Sequence, residues 1–268
     1  YNETRNPGSM VSAVQNKRGR IFLCFDGIIK IKVYYNIYKK IMALDYMGKL
    51  SPRNAVRILR ILYPIWMAFG IFSIVYIPSM LLVAGNAAET ASKILANEFL
   101  FRTGIVGGLM TQLIFIFAVL LLYKLFESVS KNHSLLMVVL ALVSVPIAML
   151  NELYNVAALL LLKNPDQMML FLNLHTQGVV IASIFWGLWL FPLGSLIYKS
   201  SYFPKIISMA VIIGGLGYTL GSFSELLAPS SKTILSLFEF MTFGEVVFLL
   251  WLVVRGAKLP KNSEQLSS

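Results

Sequence analysis

The sequence predicts an all-α fold: a polytopic integral membrane helix bundle with six transmembrane helices. Three observations predict it. Six apolar runs, each of about 20 residues or more, fill nearly everything after residue 57. A hydrocarbon core about 30 Å thick needs a helix of roughly 20 residues to cross it. The chain is 57% hydrophobic and only 13% charged, whereas soluble domains carry about 25% charged residues. Finally, its Lys and Arg residues flank the runs instead of spreading through them.

Before the first run lies a basic stretch, residues 1–50, read as a poorly ordered N-terminal extension. Within it Ile21–Met42 is apolar but carries Asp26, Lys30, Lys32, Lys39 and Lys40, too many charges for a span. These charges share no clean helical face. An upstream extension with the native start at Met42 or Met47 is therefore expected in preference to a basic interfacial helix.

The first run, Ile61–Val83, contains Pro64 and Pro78. Each proline removes a backbone donor and is expected to bend its helix. Between runs one and two, Asn86 with Glu89 three residues on has capping-box spacing. A short amphipathic surface helix is expected there. The second run, Gly104–Phe126, has Gly104 and Gly108 at the small-xxx-small spacing that lets helices approach. The third, Leu135–Leu162, contains Pro146, and the fourth, Gly178–Tyr198, contains Pro192. Asn164 or Asp166 is the expected cap of a helical stretch that extends the fourth run outward. The fifth run, Ile206–Leu227, holds GGLGYTLG, with Gly217 and Gly221 again at packing spacing. No strand precedes this motif, so a nucleotide-binding loop is rejected. The sixth run is Ile234–Val254. The expected organisation is an extension over 1–50, a six-helix domain over 51–256 and a short cytoplasmic tail over 257–268.

Charge distribution sets the expected topology. Lys93, Arg102, Lys163 and Lys232 are the basic residues of one side, and the other nineteen fall on the opposite side. The positive-inside rule places both termini in the cytoplasm of a bacterial inner membrane. Net charge is +11, yet no basic face interleaved with aromatics lies outside the runs, so nucleic acid is not an expected partner. The lipid bilayer is. The single cysteine, Cys24, forbids an intrachain disulfide and a thiolate metal cage. Two histidines, His133 and His175, are too few for a three-histidine zinc site. No cofactor or metal is implied.

Ionisable groups inside the runs carry the functional reading. Asn151, Glu152 and Asn155 share one helical face, within an arc of about 100°. Tyr218, Ser222 and Glu225 share another, at i, i+4 and i+7. Glu239, Thr242 and Glu245 follow a slanted arc, and His175 lies near the start of the fourth run. His175 points about 160–200° away from Asn173 and Gln177, so the three cannot enter one cavity. Intramembrane ionisable groups face a bundle interior or a wet cavity, because lipid exposure costs at least about 2.5 kcal/mol. The expected ligand-binding set is Glu152, Asn155, His175, Glu225 and Glu245, with Arg102 at the outer mouth. It would line a polar cavity in the outer half of the membrane. The structural reading of the same residues is interhelical hydrogen bonding for Asn151, Asn155 and Ser222, and headgroup solvation for Glu225 and Glu239.

Several segments together resemble the domain-of-unknown-function 4386 family of bacterial multi-pass membrane proteins. They are SPRNAVRILRILYPI, LFRTGIVGGLM, FLNLHTQGVVIASIFWGLWLFPLGSLIYKS, YFPKIISMAVIIGGLGYTLGSF and GEVVFLLWLVVRG, in that order from Ser51 to Arg255. The resemblance implies six spans and no established activity or catalytic residue. It also implies Asp in many relatives where this chain has Asn173, so no titrating role is expected there. Three functions remain open. One is binding or transport of a small ligand or proton through the outer cavity. A second is a structural, assembly or sensing subunit. The third is an intramembrane enzyme using Glu and His.

Overall fold

The described residues from Ser51 onward form one compact unit. A computed structural model describes residues 50–229 and 231–260. The expectations for the extension, including Ile21–Met42, and for residues 261–268 lie outside these residues. All six apolar runs belong to this unit.

Ser51 starts the first helix by accepting from the Asn54 N–H at 3.3 Å, with Pro52 at the first helical position. Proline fits there because its missing donor would be unpaired in any case. Helix α1 spans Pro52–Gly70. It passes into a π-helical turn, Ile71–Tyr76, and then into α2, Ile77–Leu81. Pro78 sits just beyond the π turn, where its absent N–H breaks the regular α ladder. Pro64 and Pro146, by contrast, lie within continuous helices.

Helix α3, Ala87–Ala96, is the expected surface helix, and its cap has the expected chemistry. Asn86 Oδ1 accepts from the Glu89 N–H at 3.0 Å, and Asn86 Nδ2 donates to Glu89 Oε2 at 3.1 Å. Ala91 and Ile94 bury their side chains in an apolar cluster with Ile77, Phe101, Met168 and Leu172. Helix α4 follows at Glu98–Phe126 and α5 at Lys131–Leu160. Asn164 caps α6, Pro165–Leu188, so the fourth span does begin ahead of its apolar run. A break at Trp189, three residues before Pro192, leads into α7, Leu190–Ser200. Helices α8, Lys205–Leu227, and α9, Lys232–Arg255, complete the domain.

Six of these segments are long and apolar enough to cross a membrane: α1 with the π turn and α2, then α4, α5, α6 with α7, α8 and α9. This is an all-α, six-span membrane bundle. Each span packs on the next in sequence, and the sixth returns to the first. The bundle is therefore a closed ring. Its outer surface exposes large apolar side chains such as Ile61, Val106, Leu150, Leu216 and Phe240, as a lipid-facing surface requires.

The ring has two unlike ends. The basic face carries Arg53, Arg57, Arg60, Lys124, Lys131, Lys199, Lys205 and Arg255; the far face carries Lys93, Arg102, Lys163 and Lys232. Towards the basic face the interior is apolar and dense, with Leu59, Leu122, Leu193, Phe248 and Leu252 fully buried. Arg60 closes the ring there, donating from Nε to the Val253 carbonyl at 2.8 Å and from Nη2 to the Val254 carbonyl at 3.3 Å. A cation at these last carbonyls meets the negative end of α9. Glycines set the closest crossings. Gly187 of α6 meets Gly215 and Thr219 of α8, and Gly244 of α9 meets Ala210 of α8. The GGLG segment is thus a packing surface for two neighbouring helices.

Candidate functional site

Helix α5 presents Asn151, Glu152 and Asn155 to α6 on one face. Asn155 Nδ2 donates to Glu152 Oε2 at 2.8 Å, and His175 Nε2 of α6 lies 3.6 Å from Glu152 Oε1. The Glu152 and His175 side chains are 14% and 24% exposed. Asn151 Nδ2 donates to the His175 backbone carbonyl at 2.8 Å, crossing from one helix to the other. As their spacing requires, Asn173 and Gln177 face outward while His175 faces in.

Two glycines make space for this cluster. A methyl group added at Gly108 would collide with the Glu152 carboxylate, and one at Gly178 with the Asn151 side-chain oxygen. Gly104 does support close packing, against Ile77 of α2. Gly108, read from spacing as a helix contact, accommodates a carboxylate instead. A glycine opposite an intramembrane carboxylate is the sequence signal that would have found this pairing.

Glu152, Asn155 and His175 line a cavity of about 270 Å³. The rest of its wall is mostly apolar and comes from the far-face ends of the helices, including Ile77, Pro78, Leu82 and Phe101. Ser73 and Ile74 of the π turn complete it. Sequence reading missed the π turn. Such turns recur at functional sites because they redirect side chains within a helix.

The remaining expected residues lie elsewhere. At about 1.5 Å per residue, Glu152 is ~12 Å from the far end of α5 and His175 ~15 Å from that of α6. Glu245 is deeper, ~20 Å from the far end of α9, and lines a second hollow of about 120 Å³. Glu225 and Glu239 border a third, a groove of about 350 Å³ between α6, α8 and α9. Arg102 lines none of these hollows. Its Nη2 pairs with Glu98 Oε1 at 2.6 Å on the exposed surface. His133 stands on the basic face, 2.9 Å from Ser130 Oγ and 3.3 Å from Lys199 Nζ. Among the described residues no three His, Cys, Asp or Glu side chains converge to hold a metal ion.

A small hollow of about 40 Å³ shares walls with the first two. It shares Glu152 and His175 with the outer cavity, and Thr111, Gln112 and Trp186 with the deeper one. Polar groups thus line the ring axis from the far face to mid-depth. Below them Trp189 packs edge-on to Phe115 at 5.4 Å, and Phe115 stacks on Trp66 at 6.1 Å.

The model of a protein family described as a domain of unknown function (DUF4386) matches residues 61–256. An uncharacterised protein of the archaeon Archaeoglobus fulgidus is 33% identical over 156 residues, 58% of this chain and 85% of the relative. A similar sequence thus occurs outside bacteria. No solved structure matches.

Proposed function

The chain belongs to the family described as a domain of unknown function (DUF4386), and we propose that its six-span bundle binds or transports a small ligand, or a proton, through the cavity of Glu152, Asn155 and His175. The observation that supports this is the Glu152–His175 approach, 3.6 Å, on the wall of a 270 Å³ hollow within a membrane helix bundle. An acid beside an imidazole in an otherwise apolar wall provides a charge and directional hydrogen bonds at one spot, the pattern of small-molecule sites. Membrane insertion opposes such groups, so they are retained chiefly where they face a cavity or one another. The positive-inside rule puts the basic face in the cytoplasm and opens the cavity to the exterior.

Thermal unfolding of the purified chain in lipid nanodiscs, against a panel of small amines, carboxylates, sugars and alcohols, tests this. At ligand concentrations about 100 times Kd the parent gains about 2.7 kcal/mol. Glu152→Gln is expected to keep the unliganded melting temperature within a few degrees and to lose that gain. If Glu152→Gln and His175→Ala follow the parent across the whole panel, and proton uptake into proteoliposomes is equally unchanged, the cavity has no such role. The alternative of a structural, assembly or sensing subunit is favoured by Asn151, whose amide ties α5 to α6. On that reading Asn151→Ala weakens packing and no ligand response exists to be lost.

A further inference from the structure

We infer that the deeper hollow is a site for a small protonated alkylamine, of the size and kind of trimethylammonium. This deepens the reading above by naming a ligand class and a second position for it. Five aromatic side chains line the hollow: Trp66, Phe115, Trp186, Trp189 and Tyr218. Three of the four tryptophans in the chain are therefore gathered at one place. Aromatic faces carry negative charge density and attract alkylated ammonium ions, and tryptophan does so most strongly.

One carboxylate, Glu245, completes the wall. Its residue is 7% exposed, and among the described residues no Lys, Arg or His forms an ion pair with it. The Tyr218 hydroxyl is the hydrogen-bond partner of this carboxylate, but an acid without a counter-cation at mid-depth in a membrane bundle is still costly, and a bound cation offsets that cost. Gln112 adds a second recognition element: its side-chain oxygen is buried with no hydrogen-bond partner. An ammonium N–H is a suitable donor to it. The Trp66 Nε1–H is likewise buried without a partner, but the carboxylate and the ring faces together oppose an anion.

Size narrows the class. The hollow measures about 120 Å³, the volume of roughly four waters at ~30 Å³ each. That suits an ion of four or so non-hydrogen atoms. The route in is by way of the 40 Å³ hollow beside Glu152 and His175. On the other side the stacked and edge-on rings of Trp66, Phe115 and Trp189 close the floor. An amine arriving from the far face meets one carboxylate at the cavity and a second at the cage.

Tryptophan emission of the full chain in nanodiscs reads the cage directly. Trimethylammonium, methylammonium and tetramethylammonium chlorides are titrated against sodium chloride at matched ionic strength. The parent is expected to give a saturable change with trimethylammonium and none with sodium. Trp251→Phe, outside the cage, keeps the response. Glu245→Gln weakens it at least about tenfold, and Gln112→Leu and Trp186→Phe each weaken it several-fold, which keeps the test open if Glu245→Gln does not fold. Tetramethylammonium, lacking an N–H, binds more weakly than trimethylammonium. No saturable response to any amine, an equal response to sodium, or variants that match the parent would overturn the inference, as would tetramethylammonium binding as tightly as trimethylammonium. Glu152→Gln separates the two readings. A response kept in that variant supports the cage and removes the outer cavity from the path; a response lost there supports both.

Discussion

Glu152 has room beside α4 because Gly108 carries no side chain. The carboxylate lies against the bare backbone of Gly108 and holds Asn155 and His175 on its two oxygens. Gly108→Ala is expected to push this carboxylate out of place. It should cost about 1–3 kcal/mol through overpacking and weaken any ligand response that depends on Glu152. Gly107, one position away, is the control. A methyl there would sit 3.4 Å from Phe72, an ordinary contact, so Gly107→Ala should unfold within about 0.5 kcal/mol of the parent. Paired melting curves check both. Equal loss in the two variants would mean that α4 is sensitive to bulk as such and that Glu152 is not special. The presence of Glu152 on a polar face was legible in the spacing of Asn151, Glu152 and Asn155. Its notch was not, because spacing within one helix says nothing about which residue of another helix stands opposite.

Among the elements, the first span differs most from its sequence expectation. Two prolines led to two expected bends, but only Pro78 is accompanied by a change of helix type. The reason is position. Pro78 follows the π turn directly, whereas Pro64 is carried inside α1. Pro78→Ala returns the missing donor and should let the turn regularise towards an α-helix. The expected outcome is a higher melting temperature together with an altered ligand response, since Ser73 and Ile74 would be turned away from the cavity. A stabilised variant with an unchanged response would show that the π turn has no part in the site. At α3 the local sequence was sufficient. Asn86→Ala removes an acceptor that the helix start has no replacement for, and should cost about 1 kcal/mol of local stability. Faster amide exchange confined to α3 is the measurement that checks it.

For the whole molecule, ring closure and orientation are the two features to test. Arg60 joins the first span to the last two carbonyls before Arg255. Arg60→Gln should lower stability by of order 1 kcal/mol, because a cation at a helix C-terminus is replaced by a neutral group. Orientation follows from labelling on a Cys24→Ser background. A membrane-impermeant maleimide should reach Ser92→Cys in intact cells and Ser128→Cys only after permeabilisation. The reverse pattern would turn the cavity towards the cytoplasm.

The first, second and fourth spans begin 9, 6 and 13 residues before their apolar runs. The six helical spans themselves, the limits of the third, fifth and sixth within a few residues, the starts of α3 and α6 and the basic side were all legible in the chain alone. They depend on apolar run length, on local capping and on the water-lipid boundary, which act along one helix at a time. The distribution of the acids was not legible. Glu152 shares a cavity with His175, Glu245 stands among tryptophans at mid-depth, and Glu225 borders a separate groove. Helical periodicity assigns a residue to a face and a depth. Which faces meet depends on how the spans rotate and close as a ring, and contacts between helices set that, such as Gly187 against Gly215 and Gly244 against Ala210.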